Sequence, residues 1–128
     1  MRRLTFALMI AGLALLAACT QPRGDYVVYP ATAPELASAS VDPVTGVWES
    51  VPWSGADWLP FPPRVTMQVE HGLMGAPRVV LVYIAFDASG ANAGLAAGDL
   101  ALVVEVDAST ITLANGTSGG FFVRIVAF

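Results

Sequence analysis

Apolar and polar positions alternate most cleanly just past the middle of the chain. Val65, Met67 and Val69 are interleaved with Thr66, Gln68 and Glu70, the period-two mark of a strand with one buried face. Residues 78–86 (Arg-Val-Val-Leu-Val-Tyr-Ile-Ala-Phe) are nearly all β-branched or aromatic, which predicts a central strand covered on both faces. Residues 100–106 predict another strand. Asp107-Ala108-Ser109 then turns the chain into residues 110–114 as a hairpin. Asn115-Gly116 and Ser118-Gly119-Gly120 signal a further turn, before a final strand over residues 121–128. Between the second and third of these strands, residues 87–99 hold Gly90, Gly94 and Gly98 among alanines. They read as a loop with one helical turn around 93–97. No helix longer than two turns is predicted after Cys19. The expected fold is all-β, a small antiparallel β-sandwich.

Prolines mark off what precedes this regular part. Eight of the nine lie between Pro22 and Pro63, so helices and central strands are disfavoured there. Residues 19–44 mix Pro, Ala, Ser and Thr and are expected to be a flexible linker, with Tyr26-Val27-Val28-Tyr29 as a possible edge strand. At polyproline-like extension such a linker would reach about 70–80 Å. The domain proper is expected over 45–128. It opens with an aromatic arm in which Trp48, Trp53, Trp58, Leu59 and Phe61 stand among Pro52, Gly55, Pro60, Pro62 and Pro63. The three tryptophans are candidate ligand-binding residues, because flat aromatic faces stack on sugar rings. The alternative is that they form a lid on the sandwich.

The first residues follow a different pattern. Arg2 and Arg3 precede an uncharged apolar run too short for a comfortable membrane span, closed by Leu16-Ala17-Ala18-Cys19. This is the layout of a secretory signal peptide over 1–18. Its ending resembles the lipobox of bacterial lipoproteins at every position. The resemblance implies that the chain is cut before Cys19, that the Cys19 thiol receives a diacylglycerol, and that the new amine is acylated. Such an anchor would be effectively permanent. Thr20 follows the cysteine, where lipoproteins retained in the inner membrane of diderm bacteria carry Asp. The resemblance therefore favours the outer membrane.

Composition then excludes several kinds of chemistry. Cys19 is the only cysteine, so after lipidation there is no disulfide, thiol nucleophile or cysteine metal site. The chain has no lysine, and its ten carboxylates outnumber six arginines, two of them in the leader. No basic stripe exists, which argues against nucleic acid and against electrostatic docking on anionic lipid. His71, the only histidine, stands beside Glu70 as half of a possible acid–base pair, but a turn histidine bonded to backbone is the expected role. Asp87, Ser89, Asn92 and Asp99 place oxygen ligands in one loop without EF-hand spacing. No catalytic set, metal site or cofactor is expected. Asn115-Gly116-Thr117 has the form of a glycosylation acceptor, and the turn explanation is preferred.

The stretch from Glu70 to Val80, Glu-His-Gly-Leu-Met-Gly-Ala-Pro-Arg-Val-Val, also resembles a segment of distal β-sandwich domains in phage tail fibres. There a strand ends in His-Gly-Leu-Gly and a proline opens the next strand. Met74 stands where that pattern has glycine. The resemblance spans about 64–128 and implies a structural or ligand-binding sandwich without catalytic residues. Two function classes follow. One is a lipid-anchored, non-enzymatic structural or protein-interaction module of the cell envelope. The other is a module binding glycan or another small ligand through exposed aromatics.

Overall fold

The computed structural model describes residues 24–128. The leader, Cys19 and the lipobox lie outside the described residues. Ten strands follow in chain order: β1 (Tyr26–Tyr29), β2 (Ser40–Val41), β3 (Trp48–Glu49), β4 (Leu59–Phe61), β5 (Thr66–Glu70), β6 (Val80–Ala85), β7 (Gly94–Leu95), β8 (Leu102–Val106), β9 (Thr110–Ala114) and β10 (Phe121–Ala127). Short 3-10 turns occur at Pro34–Leu36 and Gly98–Leu100. The fold is all-β.

Two sheets share one core. The first has the order β1-β5-β9-β8, antiparallel except for the parallel pair β1–β5. The second runs β2-β3-β10-β6-β7, with β4 beside β3 on the same edge of β10. Met67, Val69, Ile111 and Leu113 of the first sheet pack against Val82, Val123, Ile125 and Ala127 of the second. The alternation at 65–69 thus places Val65, Met67 and Val69 in the core, while Thr66 and Gln68 stay half-buried.

β10, rather than the 78–86 segment, is the central strand. β6 pairs fully with β10 on one side but on the other meets only the two residues of β7, and only its Val82 and Ala85 are buried. β10 has pairing along both edges, and every residue except Phe122 is buried. A β-branched run reports affinity for a buried strand position. Which strand takes the centre depends on long-range pairing that no local pattern encodes. The expected helical turn near 93–97 is replaced by β7, whose Leu95 and Gly94 pair with Tyr83 and Ile84.

The flexible linker expected over 19–44 does not hold for its described part. β1 is hydrogen-bonded along β5, β2 pairs with β3, and Leu36 is buried in the main core. Ala31 N donates to Glu70 Oε2 at 2.8 Å, tying the turn after β1 to the end of β5. Few large apolar residues suffice here because backbone ladders and one plug, Leu36, offset the ordering entropy. The aromatic arm does cross the sandwich. It leaves the sheet at Ser50, whose N donates to Ile125 O and whose Oγ accepts from Ile125 N, both at 2.9 Å, and it returns at β4. Between these points it covers the outer face of β10 and β6, where Val51 and Trp58 form a second small core with Ala85, Tyr83, Ala93 and Phe122.

Candidate functional site: an exposed tryptophan over a buried arginine

Side chains alternate along β10, so Val123, Ile125 and Ala127 face the main core, and Phe122, Arg124 and Val126 face outward. Arg124 therefore points away from the main core, yet it is completely buried because the arm closes over it. Removing a guanidinium from water is costly unless its charge and donors are matched. Here Nε donates to Val51 O at 2.9 Å, and Nη2 lies 2.7 Å from Glu49 Oε1 as an ion pair without hydrogen-bond alignment. The Trp53 ring covers the flat face, with its centroid 4.0 Å from Cζ. A cation against an indole face is among the stronger arrangements of this kind.

Trp53 is held from its sides as well. Tyr83 meets it edge to face at 4.7 Å, and Trp58 is tilted against it at 5.8 Å. Despite these contacts Trp53 remains 52% exposed. Leu95, exposed and paired in register with Tyr83, extends the apolar surface across β7. The outcome is an immobilised aromatic surface on the outer face of the second sheet, edged by the half-exposed Glu49 carboxylate.

The three tryptophans consequently separate. Trp48 is 2% exposed in the main core, edge-on to His71 at 6.2 Å. Trp58 is 1% exposed, and Gly90 sits so close that a Cβ there would lie 2.4–2.6 Å from its indole atoms. With φ at +77°, Gly90 is doubly required to be glycine. Burial removes Trp48 and Trp58 as ligand surfaces. Trp53 alone retains a face open to solvent. Its partners Arg124, Tyr83 and Glu49 come from three different strands, and no local sequence pattern brings them together. The available signal was one charge inside an otherwise apolar strand.

The other polar groups are committed to structure. His71 is buried, its Nε2 contacts Asp107 O at 3.1 Å, and its Nδ1 accepts from Leu73 N at 3.2 Å. That pattern suits a neutral ring protonated at Nε2, the role expected of a turn histidine. Asn115, buried, donates from Nδ2 to Phe61 O, Pro62 O and Gly119 O and accepts from Thr117 N and Oγ1. It joins the 115–120 loop to the end of the arm, and its amide is inaccessible for glycosylation. Asp107 is held below the ordinary carboxylate range by the backbone N–H groups of Ser109 and Thr110. Asp42 is lowered likewise by Thr45 and Val44, and Asp87 by the side chain and backbone of Ser89. Tyr29 is raised by burial and by the nearby Glu35. Among the described residues no group of three His, Cys, Asp or Glu is placed to hold a metal ion.

A cleft of about 500 Å³ lies between the 3-10 turn at Pro34–Leu36 and β4, with Glu35, Asp57, Trp58, Pro60 and Phe122 on its walls. No protein-family model matches the chain, and neither a curated protein nor a solved structure matches it.

Proposed function

We propose that the chain is a lipid-anchored protein of the bacterial cell envelope whose β-sandwich serves as a non-enzymatic structural or protein-interaction module. The observation that carries this reading is the complete lipobox, Leu16-Ala17-Ala18-Cys19, behind a basic and apolar leader. Thr20 favours the outer membrane in a diderm host. The absence of catalysis is proposed because the only histidine has both ring nitrogens engaged with backbone groups. Trp53 supplies an anchor of the kind found at interaction hot spots, an aromatic ring already fixed before a partner arrives.

A second reading has its own support. One open indole face with a carboxylate at its edge also suits a sugar ring, with C–H groups over the indole and a hydroxyl donating to Glu49. Affinity capture of the acylated protein from solubilised membranes separates the two. A stoichiometric protein partner that is lost with Trp53→Ala supports the interaction module. Retention on peptidoglycan or polysaccharide, lost with the same substitution, supports the sugar site. Capture unaffected by Trp53→Ala contradicts a role for this surface.

A further inference from the structure

Exposed apolar residues stand at both ends of the sandwich as well as on its faces, and the tether distinguishes the two ends. The chain enters at one of them. Asp25 O accepts from Thr66 N at 2.9 Å, Gly24 lies against Arg64 O, and Arg64 N donates to Thr117 O at 3.2 Å. The 115–120 loop leads from there into Phe121, whose ring meets Phe86 edge to face at 5.4 Å. Phe86 is 80% exposed at this end. Tyr26 and Leu102, also exposed, occupy the same cross-strand row, Tyr26–Thr66–Ala114–Leu102. Arg64 is exposed beside them, held at φ +59°, a strained value for a side-chain-bearing residue. The opposite end carries Val44, Met74 and Phe128, equally apolar and exposed.

Exposure alone does not say which end meets the membrane. Covalent reach does. Five residue steps separate Cys19 from Gly24, spanning at most about 18 Å however the chain runs. The six residue steps along β10 alone rise about 20 Å, before the turns at either end are added. With the Met74 end on the bilayer, Gly24 would stand farther from the lipid than the tether can reach. The same arithmetic replaces the reach of about 70–80 Å expected for a disordered 20–44 segment.

We propose, on the reading that Cys19 is the lipid anchor, that the Gly24 end of the sandwich seats on the membrane surface with Tyr26, Phe86 and Leu102 in the interfacial layer and Arg64 reaching lipid phosphate. Aromatic and aliphatic side chains partition into that layer, and an arginine stem lies along apolar surface while its head reaches the headgroups. The carboxylates at this end, Asp25, Asp87 and Asp99, limit the depth and favour a zwitterionic leaflet over an anionic one. Asp87 immediately follows Phe86, and its Oδ1 is turned back to accept from Ser89 N at 2.8 Å. Seating is therefore shallow. The Val44, Met74 and Phe128 end is directed away from the bilayer, along with any partner that it meets.

The test uses the acylated protein in vesicles of zwitterionic phospholipid. Cys19 is blocked by lipid, so an added cysteine is the only free thiol. Phe86→Cys, Leu102→Cys and Met74→Cys forms would each carry an environment-sensitive fluorophore, with quencher lipids labelled at the headgroup or along the chain. The expected result is blue-shifted emission at 86 and 102, lost to headgroup-level quencher, with neither change at 74. Equal quenching at 74 and 86, quenching at 74 alone, quenching at none, or a blue shift at 86 insensitive to lipid quencher would each overturn the seating. Flotation of the wild type but not of Cys19→Ser with the vesicles isolates the anchor. A wild type that does not float overturns the anchor reading and the seating together, whereas flotation without quenching overturns the seating alone.

Discussion

Val123, Ile125 and Ala127 on the inner face of β10 meet a wall of aliphatic side chains, whereas Phe122 and Arg124 on its outer face meet an irregular, proline-rich arm. Both faces are dry, but the means differ. The inner face is closed by non-directional packing between two regular sheets, which tolerates exchange of one aliphatic for another. The outer face is closed by particular contacts: a carbonyl on Nε, a carboxylate on Nη2, and one indole ring over the guanidinium. That second arrangement leaves the covering ring half in water. The outer face is thus sealed by the same ring that offers the proposed interaction surface.

The comparison is broken most severely at Trp58, the buried member of the arm. Trp58→Ala should cost about 3–5 kcal/mol, because the indole fills space between Gly90 and the sheet that the arm cannot collapse into. Chemical denaturation would read this as a lowered midpoint with an unchanged slope.

Arg124 comes next. Arg124→Ala should cost about 2–3 kcal/mol through lost packing and an unpaired Val51 carbonyl, and Glu49, being partly exposed, remains hydrated. Arg124→Met should lose less than the alanine form, since it keeps the stem volume without a buried charge. A methionine form less stable than the alanine form would contradict the view that the guanidinium is tolerated rather than required for folding.

Trp53→Ala sharpens the contrast from the other side. Its loss should be about 1 kcal/mol or less, the scale of an exposed cation–π contact. Equal destabilisation by Trp53→Ala and Trp58→Ala would make Trp53 a lid and remove it as an interaction surface. Collisional quenching of the native protein should likewise report one accessible tryptophan and two protected ones.

The smallest expected effect is one of pH. Asp42, Asp87 and Asp107 are all lowered from an ordinary value of 3.8 by turn hydrogen bonds. Carboxylates lowered in the folded state contribute stability that is fully present above the unfolded value and is lost as pH falls through the folded one. Stability should therefore be insensitive to these groups near neutrality and decline below about pH 4. In Asp107→Asn that acid decline should be shallower. All three carboxylates are on the surface, so the contribution is small and screened by salt.

Much of the fold was legible because period-two patterning and turn chemistry are local. The hairpin 102–114, the turn at Asn115-Gly116, β5 and the last strand follow from residues next to one another. What was not legible depends on distant partners. β4 is a strand despite Pro60 because it pairs only with β10, opposite Phe122. β1 and the 3-10 turn at Pro34–Leu36 are ordered by β5, Glu70 and the core pocket of Leu36. Even intervals between Trp48, Trp53 and Trp58 gave no hint that only the middle ring stays exposed. That outcome depends on Arg124, more than sixty residues away, rising beneath it.

Metabolic labelling with palmitate in a bacterial host tests the central claim, lipid anchoring at Cys19, most directly. The account predicts label in the wild-type chain, none in Cys19→Ser, and a mature form that begins at residue 19. Equal label in both forms, or none in either with the leader removed at another site, would contradict it.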